Sequence, residues 1–311
     1  MNVLVFGSNG LLGSNLKKLV NENNEFEKLN WDFSTREDVD LFSYEQTKEK
    51  IKSFKPDIII NAAAKVGGIN ANNENKTSFM IENLKINLNI YEACTKIEPI
   101  KIINMGSSCI YPLDAVNPIK ENSIMTGKLE PTNSAYAMAK LSSIELGYAV
   151  SSEFGHNVIN IIPTNLYGPY DKFSEFDSHV IPGLIFRMHS SKIKKDNKFK
   201  IWGSGKPLRE FLHAEDLADA LLFIIGNNIN KDLINVGSGK EIPISELALL
   251  IKEIIGYKGE LIFDKSMPDG KERKLIDSSE IFSLGWKPKI SLEDGIKNTY
   301  KWYLNNLSST L

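Results

Sequence analysis

NVLVFGSNGLLGSNLKKLV, residues 2–20, opens the chain and decides its fold. Asn2 to Phe6 form a short apolar run that reads as a buried strand. Gly7, Gly10 and Gly13 follow at G-x-x-G-x-x-G spacing, and a helical pattern begins near Leu11. Glycines permit a tight turn and close approach of backbone to a ligand, and the free N–H groups of a helix N-terminus attract a pyrophosphate. A glycine pattern alone is weak, but here a strand precedes it and a helix follows. The stretch predicts a dinucleotide-binding turn at Gly7, Ser8, Asn9, Gly10, Leu11, Leu12 and Gly13.

Working outward, DIIINAAA (57–64), KIINMGSS (101–108) and NVINIIPT (157–164) read as further buried strands. Helical patterns cover roughly 44–54, 74–96 and 132–154. Strands alternating with helices imply a parallel sheet covered on both faces, a doubly wound α/β fold. After residue 165 glycine, proline and aromatic residues cluster, as in NLYGPYDKF and IWGSGKPLREF. We expect a dinucleotide-binding domain over 1–165, with 211–240 returning to it. Residues 166–210 and 241–311 are expected to form mainly a smaller, substrate-binding lobe.

Composition narrows the function. With 311 residues and 42 % apolar content the chain can bury a sizeable core. A net charge of −2 gives no electrostatic case for nucleic acid or an anionic membrane. The basic run KIKKDNKFK (192–200) reads as a solvated loop, and no apolar run approaches the roughly 20 residues of a membrane span. The N-terminus begins in a strand without a basic leader, and two cysteines, Cys94 and Cys109, make no disulfide framework. The expectation is a soluble, cytoplasmic protein with reduced thiols and no metal site.

The chemistry concentrates in GSSCIYP (106–112) and YAMAK (136–140). Tyr136 and Lys140 are four apart and share a helical face, where the ammonium is expected to lower the phenol's pKa. Ser107 stands at a strand end, placed to hydrogen-bond the same carbonyl oxygen that Tyr136 protonates. Cys109 is two residues further on; in an extended segment it faces the same side, either as a carbon-acid base or as a small buried hydrophobe. Near the end of the second strand Asp32 suits a ribose 2′-hydroxyl and Arg36 a 2′-phosphate, so the local residues leave NAD and NADP open. Asp40 and Leu41 either border the adenine or form an ordinary cap and core pair. Of the four histidines, His156 reads as a cap, His189 as a helix residue and His213 as a strand-end residue. His179 lies in a polar loop that opens a helix.

The order G-x-x-G-x-x-G, N-A-A, strand-end Ser and Y-x-x-x-K resembles the extended short-chain dehydrogenase/reductase family. Longer stretches, AAAKVGGINAN (62–72), GSSCIYP, LEPTNSAYAMAK (129–140), PTNLYGPYDKF (163–173), SHVIPGLIFR (178–187), WGSGKPLREFLH (202–213), PDGKERKLID (268–277) and LGWKPKISLEDGI (284–296), resemble its GDP-L-fucose synthases over almost the whole chain. The resemblance implies a Rossmann-type fold and a GDP-linked 4-keto-6-deoxy sugar as substrate, epimerised at C3 and C5 and then reduced at C4 with NADPH. It makes Cys109 the base and His179 the acid, beside Ser107, Tyr136 and Lys140. It implies cofactor contacts by the glycine turn, Arg36, Met105, Gly106, Ser107, Ser108, Lys140, Pro163, Thr164, Asn165 and Leu166, and we expect further ones at Asp40, Leu41, Ala62, Ala63, Tyr136 and His179. Substrate contacts fall on Arg187, Trp202, Arg209, Asp269 and Lys274, and the long helices suggest a homodimer.

One departure stands out: the family turn often carries a basic residue where this chain has Ser8 and Asn9. That weakens the expectation of strict NADP use, although Arg36 still favours it. Two other readings are a nucleotide-sugar 4-epimerase or 4,6-dehydratase and a non-catalytic dinucleotide sensor. A dehydratase needs an acid/base pair after Ser107, where this chain has Ser108 and Cys109. A sensor has no need of Ser107, Tyr136 and Lys140 together.

Overall fold

Successive side chains of the first strand, β1 (Asn2–Phe6), enter two different cores. Val3 and Val5 pack with Leu12, Leu16, Leu217 and Leu221, whereas Leu4 and Phe6 pack with Ile51, Ile90 and Tyr91. A strand covered on both faces is what a parallel sheet between helical layers requires. The computed structural model describes residues 1–175, 177–266 and 269–307.

The chain continues through α1 (Leu11–Glu22), β2 (Asn30–Ser34), α2 (Tyr44–Phe54), β3 (Ile58–Asn61), α3 (Ile69–Glu74), α4 (Lys76–Cys94) and β4 (Lys101–Met105). Then come α5 (Ser134–Phe154), β5 (Asn157–Pro163), β6 (Asn165–Tyr167), α6 (Val180–Lys194), β7 (Lys198–Trp202), β8 (Leu208–His213) and α7 (Ala214–Gly226). The last elements are β9 (Leu233–Val236), β10 (Glu241–Pro243), α8 (Ile244–Ile255), β11 (Glu260–Asp264), β12 (Arg273–Lys274), α9 (Ser279–Ser283) and α10 (Leu292–Asn305). A six-stranded parallel sheet has the order β2-β1-β3-β4-β5-β9. The doubly wound α/β fold expected from the sequence is therefore present.

The order reverses at β1: the chain steps out to β2, then crosses back to β3 on the other side. Such a reversal opens a crevice at the carboxyl ends of the strands. Gly7 sits in it with φ +80°, and a Cβ there would lie 2.6 Å from the Ala63 nitrogen. A Cβ on Gly13 would lie 2.5 Å from the Gly7 carbonyl oxygen. Only glycine lets α1 and the end of β3 close on this turn.

Three neighbouring strands carry an asparagine at the same register, Asn61, Asn104 and Asn160, all buried. Asn104 donates to Asn160 Oδ1 at 2.9 Å and to Ser143 of α5 at 3.0 Å, and Asn61 donates to Asn87 of α4 at 2.9 Å. These bonds fix α4 and α5 against the sheet just below its ligand-facing end.

A second apolar core gathers Tyr167, Phe173, Leu184, Phe199, Leu247, Ile251 and Tyr303, drawn from β6 and the segment after it, α6, β7, α8 and α10. The basic run at 192–200 is a loop only at 195–197. It forms the last turn of α6 and the start of β7, and Lys192 donates to the Ile255 carbonyl at 2.6 Å. No helix among the described residues is long and apolar enough to cross a membrane.

The two cores meet at β8, where Glu210 is wholly buried. Its carboxylate accepts from Gly239 N at 2.7 Å, beyond β9, and from Ile276 N at 3.3 Å, beyond β12. Its carbonyl accepts from Asn165 at 2.8 Å. Burial pushes the carboxyl's pKa up, and these backbone donors pull it down. Glu210→Ala leaves buried N–H groups unsatisfied, so it lowers the unfolding free energy by about 3 kcal/mol, read from urea denaturation curves. An unchanged midpoint would show that Glu210 does not hold the two cores together.

Candidate active site

The crevice at Gly7 suits a dinucleotide. Gly10, at the start of α1, is exposed, and no side chain caps the first turn of the helix. Its N–H groups are therefore free for an anion. Ser8 serves the scaffold, since its buried hydroxyl donates to the Phe33 carbonyl at 3.0 Å, while Asn9 is exposed. Asp32 does not end the second strand. It lies inside β2, paired with Lys50 at 2.7 Å and accepting from Ser34 at 2.7 Å, so its charge is already compensated. Beyond the strand end Arg36 is exposed, with its guanidinium 5.0 Å from the centre of the Phe42 ring. Asp40 accepts from Phe42 N at 3.0 Å and half-buried Leu41 packs on the core, the cap and core arrangement. Ala62 and Ala63 follow β3, and the Ala63 N–H donates to Asn61 Oδ1 at 3.2 Å.

β4 ends at Met105, and Gly106 extends its ladder by donating to the Ile161 carbonyl at 2.8 Å. Ser107 is extended, but Ser108 to Ile110 then form a 3₁₀ turn. The extended spacing expected between Ser107 and Cys109 is therefore wrong. The two residues stay close for another reason: Ser107 Oγ caps the turn, accepting from Cys109 N at 3.3 Å. Ser108 is buried beneath them.

Tyr136 stands in the first turn of α5, its buried ring edge-on to Phe79. Lys140, one turn on, is fully buried, with Nζ 5.9 Å from the Tyr136 ring centre. It donates to the Met105 carbonyl at 2.7 Å, and burial lowers its pKa to about 8. The expected lowering of the phenol does not occur. Burial pushes Tyr136 upward, a charge on Cys109 adds to that, and only the Ser107 hydroxyl opposes it. The physical reason is that removing the phenolate from water is the largest effect, and it outweighs an ammonium whose Nζ lies 5.9 Å from the ring centre.

Cys109 is half-buried against Ala71, Phe79 and Tyr136. Its sulfur accepts from Asn133 Nδ2 at 3.4 Å and from Lys274 Nζ at 3.7 Å. Sequence reasoning missed Asn133 and assigned Lys274 to the substrate. The one signal for Asn133 is its place just ahead of the Tyr136 helix.

His179 immediately precedes α6, and its imidazole is exposed. Nδ1 lies 3.9 Å from Asp171 Oδ1, and the other Asp171 oxygen is buried without a hydrogen-bond partner. Nothing in the sequence singled out Asp171. The other histidines are tied to the scaffold: His156 to Ile100 N and Cys94 O, His189 to Tyr300, and His213 as the cap of α7. Burial lowers His213 to about 4.

The expected substrate residues form a connected rim. Arg187 lies between the rings of Phe199 and Trp202, 5.4 Å from each, and Trp202 is 41 % exposed. Asp269 accepts from Ser204 N at 2.7 Å, which stitches the loop after β7 to the segment before β12. Hydrogen bonds from Ser204 hold its carboxyl below the usual range. Arg209 donates to the Leu208 and Lys271 carbonyls and pairs in register with Lys274, which reaches the thiol. Pro163 ends β5, Thr164 and Asn165 bond to the Glu210 carbonyl, and Leu166 packs against the α1 core.

Residues 3–237 match the NAD dependent epimerase/dehydratase family. The chain is 44 % identical over 309 residues to probable GDP-L-fucose synthase 1 of Oryza sativa subsp. japonica, covering 99 % of this chain and 93 % of that protein. It is 39 % identical to the GDP-L-fucose synthase of Escherichia coli (strain K12), covering 98 % and 97 %. A solved GDP-L-fucose synthetase from Naegleria fowleri bound to NADP superposes with a TM-score of 0.89 at 30 % identity, covering 99 % of this chain and 95 % of that one. The chain belongs to the NAD dependent epimerase/dehydratase family and, within it, groups with the GDP-L-fucose synthases.

Proposed function

We propose that this protein converts GDP-4-keto-6-deoxy-D-mannose to GDP-L-fucose, inverting C3 and C5 and then reducing C4 at the expense of NADPH. One observation carries the reading: Ser107, the serine beside the Tyr136/Lys140 pair, also caps the turn that presents Cys109. A reductase set and a thiol thus converge on one spot.

The C–H bonds at C3 and C5 lie next to the C4 carbonyl and are acidic for that reason. Cys109 removes a proton, and His179 returns one from the opposite face. Ser107 and Tyr136 hold the C4 oxygen, which stabilises the enolate in between. Tyr136 then gives its proton to that oxygen during reduction, and its raised pKa keeps it protonated in readiness. NADPH, when bound, supplies the hydride to C4. Its pyrophosphate belongs at the uncapped N-terminus of α1, and Arg36 is the cation for a 2′-phosphate, since Asp32 is committed to Lys50. Arg187, Trp202, Arg209 and Asp269 hold the GDP end.

The assembly we propose is a homodimer through α4 and α5. Ile81 and Leu88, seven residues apart on α4, and Met138 on α5 are each over 40 % exposed. Multi-angle light scattering gives twice the monomer mass if this is right; a monomer refutes it. The cytoplasm, which keeps thiols reduced, suits free Cys109.

The direct test is NADPH oxidation with freshly made GDP-4-keto-6-deoxy-D-mannose, with the product sugar identified by NMR. Cys109→Ala slows incorporation of solvent deuterium at C3 and C5 by about 10³-fold; exchange at the normal rate would remove the thiol from the mechanism. The pH dependence has a definite sign. Lys140, depressed to about 8, is charged below that pH and neutral above it. The reduction rate therefore falls as pH rises through about 8, measured on saturating substrate, and Lys140→Met lacks that limb. A wild-type rate that stays flat between pH 7 and pH 9 would separate Lys140 from the proton transfer.

A further inference from the structure

We propose that Asn133 and Lys274 are positioning residues for Cys109, forming a two-donor cradle that favours the anionic form of its sulfur and aims it. Lys274 then serves the thiol, where the family resemblance implies a contact to the nucleotide sugar.

Both partners face the sulfur with donors alone. An ammonium has three N–H groups and no acceptor, and the Asn133 amide presents its NH₂ group. A sulfur receiving two donors, one of them charged, is in a setting suited to the anion. The two come from different parts of the molecule, Asn133 from the start of α5 and Lys274 from β12. None of the ion pairs among the described residues involves Lys274.

Asn133 gives the second, independent observation. It occupies the cap position of α5, where an asparagine side chain normally accepts from the first turn of the helix. Here it makes no such bond, and its Oδ1 is buried without a partner. A residue that forgoes its capping bond needs another reason for its orientation, and the sulfur at 3.4 Å supplies one.

Lys274 is equally constrained. Its strand pairs with β8, Lys274 opposite Arg209, and Ile276 two residues on is bonded to buried Glu210. The titratable groups around the thiol are Tyr136 from α5 and Lys274 from β12. Lys271 donates to the Pro112 carbonyl at 3.4 Å, and its pKa is lowered by burial and by the charge on Lys274.

The catalytic meaning of the cradle rests on the function proposed above, but the cradle itself is testable without any sugar. The probe is iodoacetamide, a neutral reagent. The thiolate attacks its methylene carbon, a C–S bond forms and iodide leaves. Modification of Cys109 is followed by peptide mass spectrometry on the full chain from pH 5 to pH 10, with Cys94, buried in the core, in the same digest as a check on folding.

Lys274→Gln is expected to slow Cys109 alkylation at pH 7 by about tenfold, with the rate converging on wild type at pH 10. Lys274→Arg recovers most of the loss. Asn133→Ala slows it by about threefold at pH 7. The proposal is overturned by an unchanged rate in Lys274→Gln at pH 7, or by an equal drop at pH 7 and pH 10, which would mean altered access only. Faster alkylation in Asn133→Ala would overturn it too, because Asn133 would then be stabilising the neutral thiol. Failure of the sugar assay with a normal cradle result would reject the function and leave the cradle standing.

Discussion

A single buried carboxylate, Glu210, fixes how the two cores face each other. It sits on β8 with no solvent exposure and takes backbone donors from beyond β9 and beyond β12. Burying a carboxylate is expensive, and satisfied hydrogen bonds are what make it tolerable. Asn235 at the end of β9 reinforces the joint: it accepts from Tyr111 at 2.6 Å and donates to the Ile119 and Asp277 carbonyls. The consequence lies at Lys274. Its reach of 3.7 Å to Cys109 depends on β12 being held two residues away through Ile276. The site is assembled from both cores, so its precision is only as good as this joint.

Desolvation sets the resting charge of the site. Tyr136 and Lys140 are both fully buried, and burial disfavours whichever form is charged: the phenol's pKa rises and the ammonium's falls. Lys140 is kept in a pocket it would otherwise leave by its bond to the Met105 carbonyl. That carbonyl ends β4, two residues before Ser107, which caps the turn bearing Cys109. The lysine thus braces the strand end as well as facing the tyrosine ring. The resting phenol is a loaded acid, the state that proton donation to a carbonyl requires.

Local patterns were legible in the sequence, and encounters between distant segments were not. The glycine turn, the apolar strands and the helices between them each state their conformation within a few residues, and the parallel sheet follows from their alternation. The gathering of Ser107, Tyr136 and Lys140 at one place was readable from strand-end and helical spacing. Three readings failed because they depended on neighbours. Asp32 looked like a strand-end carboxylate until β2 was seen to run past it and Lys50 to close on it. An extended backbone at Cys109 is the wrong expectation because two-residue spacing cannot reveal a 3₁₀ turn. The direction of the Tyr136 shift was reversed because burial is a property of the packed molecule. Lys274 lies 165 residues from Cys109 in sequence, and no periodicity links them.

A thiol at position 109 resolves a conflict between the two halves of the proposed chemistry. Epimerisation needs a base beside the carbonyl, and reduction needs Tyr136 protonated at the same carbonyl. A carboxylate would be negative throughout the working pH range and would carry its charge permanently against the phenol. A thiol is cheap to bury while neutral, and an ordinary one ionises near 8.5. Its charge therefore has to be called up by neighbours, and the structure supplies them as an ammonium and an amide on the sulfur itself. The cation that favours the anion arrives from the far end of the chain, through the joint at Glu210. The proposed base is thus complete only in the folded molecule, where both cores are joined.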